Sequence, residues 1–183
     1  MKITILDGNM KIHRNNFEEE VDRLSLSLKE THTVNCFHLE EMQLKYCTGC
    51  WNCWLKTPGK CEKPDKAHDI FRSIISSDFV LFASPLNAGF TSSELKKITE
   101  RTVALLHPYF EIRNKEIHHR KRYDNYPDFG LLLAREPDTD EEDIRIVSDI
   151  YDRFAINFHA RKRFLTFIDQ NNVEELIYAT QNI

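Results

Sequence analysis

The chain has 183 residues, of which 41% are apolar and 30% charged, with a net charge of −4. That length suits one domain with a single sizeable core, and that composition excludes a disordered chain. The mildly acidic balance argues against nucleic acid as a partner, and no apolar run approaches the roughly 20 residues of a membrane-spanning helix, so no membrane is expected.

From the first residue, apolar runs alternate with longer amphipathic stretches. Residues 3–6, rich in β-branched side chains, read as a strand; because it begins at once, no signal peptide is expected and the cytoplasm is the default compartment. Residues 17–30 carry Phe17, Val21, Leu24 and Leu28 at helical spacing, and 33–39 read as a second strand. Helix is expected over 67–77, a buried strand over 78–84, and helix over 92–106, ending near Pro108 with His107 as a partner for its C-terminal dipole. A strand over 128–134, an acid-opened helix over 140–160, a strand over 163–168 and a helix over 173–181 complete the chain.

Five strand–helix alternations predict one α/β domain over 1–183, with a doubly wound, five-stranded parallel sheet of flavodoxin-like order 2-1-3-4-5 in three αβα layers. Its ligand crevice should lie at the carboxyl ends of the strands. Residues 107–127 read as an irregular segment, long enough to suggest a function or an assembly contact. Within it, His118, His119, Arg120, Lys121 and Arg122 read either as an anionic handle or as solvated surface or subunit contact anchored by Tyr123 and Tyr126. The second reading is favoured, because charge runs usually face water.

A cysteine-rich insertion at about 46–64 holds Cys47, Cys50, Cys53 and Cys61, spaced C-x2-C-x2-C-x7-C. Two-residue gaps let the thiolates converge, and Pro58-Gly59 can form the turn that returns Cys61 to the others. Four converging thiolates suit an iron–sulfur cluster, with Trp51 and Trp54 as shielding. Zinc, which usually takes two separated pairs, fits less well. Packed free thiols, reactive thiols and a redox disulfide are the remaining readings. Cys36, within the second strand, reads as a small buried hydrophobe.

After the third strand, Ser84 and Pro85 end the strand and Gly89 permits a tight turn. Thr91, Ser92 and Ser93 can cap the next helix and offer hydroxyl and backbone N–H groups to an anion. Any strand–loop–helix junction needs such caps, with or without a ligand.

Together, the segments CTGCWNCWLKTPGKC (47–61) and SPLNAGFTSSELKK (84–97) resemble the NADPH-dependent FMN reductase group of the flavodoxin-like superfamily, and within it the iron–sulfur flavoproteins. The resemblance implies FMN at the strand ends, electron transfer, and a homodimer or homotetramer. It also implies a nicotinamide dinucleotide or redox-protein partner, and a [4Fe-4S] cluster on Cys47, Cys50, Cys53 and Cys61. Carried onto this chain, the FMN-binding positions are Gly8, Asn9, Lys11, Asn15 and Asn16 in the first loop, where Asn9 aligns with the group's serine and Lys11 with its arginine. The later loop adds Ser84, Pro85, Leu86, Asn87, Gly89, Phe90 and Thr91. Three departures stand out: Asp7 would put negative charge beside the phosphate, Asn87 replaces the group's aromatic, and residues 134–144 after the fourth strand are acidic and lack glycine. No general acid, base or nucleophile is expected, since flavin electron transfer does not demand one. A flavodoxin-fold protein with a degenerate flavin site, acting as a binding or assembly module or a thiol redox sensor, is the alternative.

Overall fold

A computed structural model of the protein describes residues 1–10 and 16–168. The helix expected over 173–181 lies outside them.

Five strands, β1 (Lys2–Asp7), β2 (Thr33–His38), β3 (Phe79–Asn87), β7 (Asp128–Ala134) and β8 (Lys162–Phe167), form a parallel sheet in the order β2-β1-β3-β7-β8. This is the expected 2-1-3-4-5 order. Alternation along each strand feeds two cores. Ile3 and Ile5 on β1, with Phe79, Leu81 and Ala83 on β3, face α1 (Phe17–Lys29), which returns Phe17, Val21, Leu24 and Leu28. Leu6, Val80, Phe82, Phe129, Leu131 and Leu133 face the opposite layer, built from α3 (Ala67–Ser76), α4 (Ser93–Arg101) and α5 (Glu141–Asn157). A single helical turn, α2 (Asn52–Leu55), lies in the cysteine segment. β4 (Phe90–Thr91) folds back on β3 through Ala88 and Gly89, both at positive φ, as a tight two-residue hairpin demands.

The long irregular segment is instead a hairpin of β5 (Leu106–Arg113) and β6 (Glu116–Lys121). Its turn is Asn114-Lys115, with φ of 51° and 66°, a geometry more often signalled by Asn-Gly. The helix expected to run to Pro108 stops at Arg101, tightens into a 3₁₀ turn over Thr102–Leu105 and becomes strand at Leu106. Pro108 drives the residue before it out of helical conformation. His107 therefore sits in β5 and caps no helix.

Candidate functional site

The carboxyl ends of β1 and β3 and the start of α4 meet at Gly8. Its N–H donates to the Ala83 carbonyl at 2.8 Å, and a Cβ there would lie 2.7 Å from Ser92 Oγ and 2.8 Å from Leu95 Cβ. Ser84 is fully buried: its hydroxyl donates to the Pro85 carbonyl and accepts from the Ser92 N–H, both at 2.8 Å. Ser92 in turn caps α4, accepting from the Leu95 N–H. Ser84 and Leu86 thus build the turn from inside, and Gly89, at φ +75°, presses it against Ile146 of α5.

Pro85, Asn87, Phe90 and Thr91 open onto a cavity of about 920 Å³, together with Met10 and Ser93. Its far wall is apolar and comes from Val147, Ile150, Tyr151 and Phe154 of α5, with His118 of β6 at the rim. This wall was missed from sequence because its residues simply look like the core face of a helix. Tyr151 OH lies 3.3 Å from Thr91 Oγ1, and burial pushes its phenol up. Phe90 is exposed at the turn, so an aromatic face survives three residues beyond the expected position.

Asp7 does not add a free charge to this mouth. Its buried carboxylate accepts from the Asn9 N–H at 2.9 Å and lies 2.9 Å from His38 Nδ1. Asn9 is itself buried, and its Oδ1 has no partner among the described residues. Asn16 is exposed just ahead of α1 and makes no side-chain cap, while Lys11 and Asn15 lie outside the described residues. The acidic stretch after β7 serves α5: Asp140 accepts from the Glu142 and Asp143 N–H groups, and Asp143 returns a bond to the Asp140 N–H.

Behind α4 lies a second cavity, of about 170 Å³, lined by all four loop cysteines, Trp51 and Arg101. Cys47 and Cys50 are exposed and Cys53 and Cys61 half-buried, and none of the four is in a disulfide. The Cys53 thiol is pushed up by burial and by the neighbouring Cys61, Cys50 and Cys47 sulfurs, the electrostatic mark of convergence. The Pro58-Gly59 turn is present: the Lys60 N–H donates to the Thr57 carbonyl at 2.8 Å, Gly59 has φ +84°, and its N–H bonds the Cys53 carbonyl at 3.0 Å.

Two anchors tie this loop to the fold. Trp54 Nε1 donates to both the Val103 and Leu106 carbonyls at 3.0 Å. Arg101, 2% exposed, grips Asp65 through two bonds of 2.7 and 2.9 Å and donates to the Lys45 carbonyl and to Cys61 Sγ, the latter at 3.3 Å. Burial would raise the Asp65 carboxyl, but the bonds from Arg101 and from the Lys45 and Ala67 N–H groups outweigh it and hold the group below its usual range. Glu100, the residue before Arg101, lines both cavities, so α4 is the partition between them.

The histidine–arginine stretch does not converge on an anion. Arg120, Lys121 and Arg122 each donate to a backbone carbonyl, and Tyr126 anchors the segment through the Leu105 carbonyl. Neighbours on β6 point opposite ways: His118 reaches the larger cavity, whereas His119 packs on Trp54 at 4.8 Å. Cys36 also departs from expectation. It is half-buried, and its sulfur shares a 4.8 Å neighbourhood with Asp22 and His38. Burial, reinforced by Asp7 and Asp22, pushes its thiol up to about 12.

Among the described residues no helix is long and apolar enough to cross a membrane. The chain is 34% identical over 89 residues to an iron-sulfur flavoprotein of Clostridioides difficile (strain 630), covering 48% of this chain and 37% of that one. An iron-sulfur flavoprotein of Archaeoglobus fulgidus is 30% identical over 88 residues, 46% of this chain and 39% of the relative. The match thus spans about two fifths of the length of these curated relatives. An FMN-dependent NADH-azoreductase from Bacillus anthracis, solved with FMN, shares the fold at a TM-score of 0.68 and 12% identity, over 100% of this chain and 99% of that one. Residues 1–119, which carry the β1 loop, the cysteine segment and the β3–α4 turn, match a family as a whole, and by that match the chain belongs to the NADPH-dependent FMN reductase family.

Proposed function

We propose that this chain, as a single domain, is an FMN-dependent oxidoreductase that takes electrons from a nicotinamide dinucleotide or a redox protein, with a [4Fe-4S] cluster in the cysteine loop. The observation that carries the reading is the pair of cavities on either side of α4. One is a large apolar recess at the strand tips; the other is small and ringed by four thiols.

The residues suit both groups. The hydroxyls of Thr91 and Ser93 offer polar contacts on the wall of the larger cavity, and Asn9, in the loop after β1, carries a buried Oδ1 without a partner among the described residues. Phe90 offers a ring face, and the α5 wall excludes water from a planar apolar ligand. FMN held there supplies the redox chemistry, and the protein's part is to bind, orient and shield it. In the loop, Cys47, Cys50, Cys53 and Cys61 would hold the cluster, and the Arg101 N–H on Cys61 Sγ is the kind of hydrogen bond that tunes a cluster's potential. Five cysteines without a disulfide fit a reducing cytoplasm. Exposed Tyr109, Phe110, Ile112 and Ile117 on the β5–β6 hairpin favour self-association as a homo-oligomer.

Protein purified without oxygen and reconstituted with FMN, iron and sulfide should show flavin bands plus a broad cluster absorption, and should oxidise a nicotinamide dinucleotide. A colourless product would overturn the reading. Flavin bands without the cluster absorption would retain the oxidoreductase and remove the cluster.

A further inference from the structure

Neither cavity accounts for the group at the edge of the sheet where β2 meets α1. Cys36 and His38 stand two apart on β2 and so share a face; Asp22, on α1, meets them there. Their ligand atoms all lie within 4.8 Å of one another. His38 Nε2 is 3.4 Å from Asp22 Oδ1, which is long for a hydrogen bond. That same separation is what two ligands about 2.0–2.1 Å from a tetrahedral ion adopt. Behind the ring, Asp7 is 2% exposed and its Oδ2 lies 2.9 Å from His38 Nδ1. With its proton on Nδ1, toward this carboxylate, His38 would turn its Nε2 lone pair toward Asp22 and Cys36, the outer-shell arrangement that orients metal-bound histidines.

We propose that Asp22, Cys36 and His38 form a zinc-class divalent cation site, distinct from the cysteine loop, with Asp7 as its positioning residue. Sulfur and imidazole donors select a zinc-like ion over magnesium or calcium, which take oxygen ligands. A thiolate and a carboxylate together balance a dication. A water can complete the coordination. The bound ion would clamp the edge strand to α1, and it requires neither flavin nor cluster.

The test is a cobalt(II) titration of chelator-stripped protein without oxygen, in a Cys47→Ser/Cys50→Ser background that disables the loop. One equivalent should produce a thiolate-to-cobalt charge-transfer band, which zinc displaces. Cys36→Ser in this background should abolish the band while circular dichroism shows the fold retained. Asp22→Asn, a change at an exposed position, should weaken binding at least tenfold, and Asp7→Asn should weaken it about 10–100-fold. No band at all, or a band that survives Cys36→Ser, overturns the site.

Discussion

The two cavities on either side of α4 are held in place by opposite means. The strand-tip recess is built by parallel strands, a two-residue hairpin and buried contacts such as Gly8 to Ala83 and Ser84 to Ser92, all continuous with the core. The cysteine loop contributes no fully buried side chain from Tyr46 to Cys61. It depends on Trp54 and on a single ion pair whose partners are 36 residues apart in the chain. The contrast teaches that a site at the end of a sheet inherits its shape from many small terms, whereas a loop site can hang on one or two large ones.

The strongest way to break this comparison is to remove the ion pair. Arg101→Met leaves Asp65 buried and uncompensated, since the two side chains are 1% and 3% exposed, and should cost about 3–5 kcal/mol in urea unfolding. If the loss is under about 1 kcal/mol, the loop is not held as described. The same pair sets an acid limit. Because Asp65 is depressed in the folded state, its contribution is complete above the unfolded carboxylate value of about 3.9 and is lost as the pH falls through the lower folded value. Stability measured from pH 6 to pH 2 should fall more steeply in the wild type than in an Asp65→Asn/Arg101→Met double variant.

The strand-tip region should respond in smaller steps. Gly8→Ala pushes a methyl into Ser92 and Leu95 and should destabilise by about 1–3 kcal/mol, with a matching fall in melting temperature. Ser92→Ala removes the α4 cap and should cost about 1 kcal/mol. Phe90→Ala, at an exposed position, should leave unfolding within about 0.5 kcal/mol of wild type. It should weaken FMN binding up to about tenfold by calorimetry, the value of one aromatic contact. Equal FMN affinity in the two proteins would remove Phe90 from the flavin site.

Much of this architecture was legible in the chain. The strand and helix alternation, the Pro58-Gly59 turn and the cap-rich stretch after β3 are local signals, and local signals survive reading in one dimension. The β5–β6 hairpin was hidden because its turn is Asn-Lys rather than Asn-Gly, and because Pro108 and a basic run masked two short strands. The α5 wall of the larger cavity was hidden for a different reason: a helix face that lines a recess has the same apolar spacing as one that fills a core. Asp7 read as a liability for an anion until His38, at the end of the neighbouring strand, supplied its partner.

By itself the sequence determined the five parallel strands, the two-faced burial of the sheet and the presence of four closely spaced thiols, because each follows from periodicity or spacing along the chain. Only the tertiary structure decided that Arg101 would grip Asp65 beside Cys61, that α4 would separate two cavities, and that Cys36, His38 and Asp22 would converge. The physical reason is one of range. Backbone preference is set by near neighbours, whereas charge pairing and ligand geometry depend on side chains that meet only once the sheet has assembled.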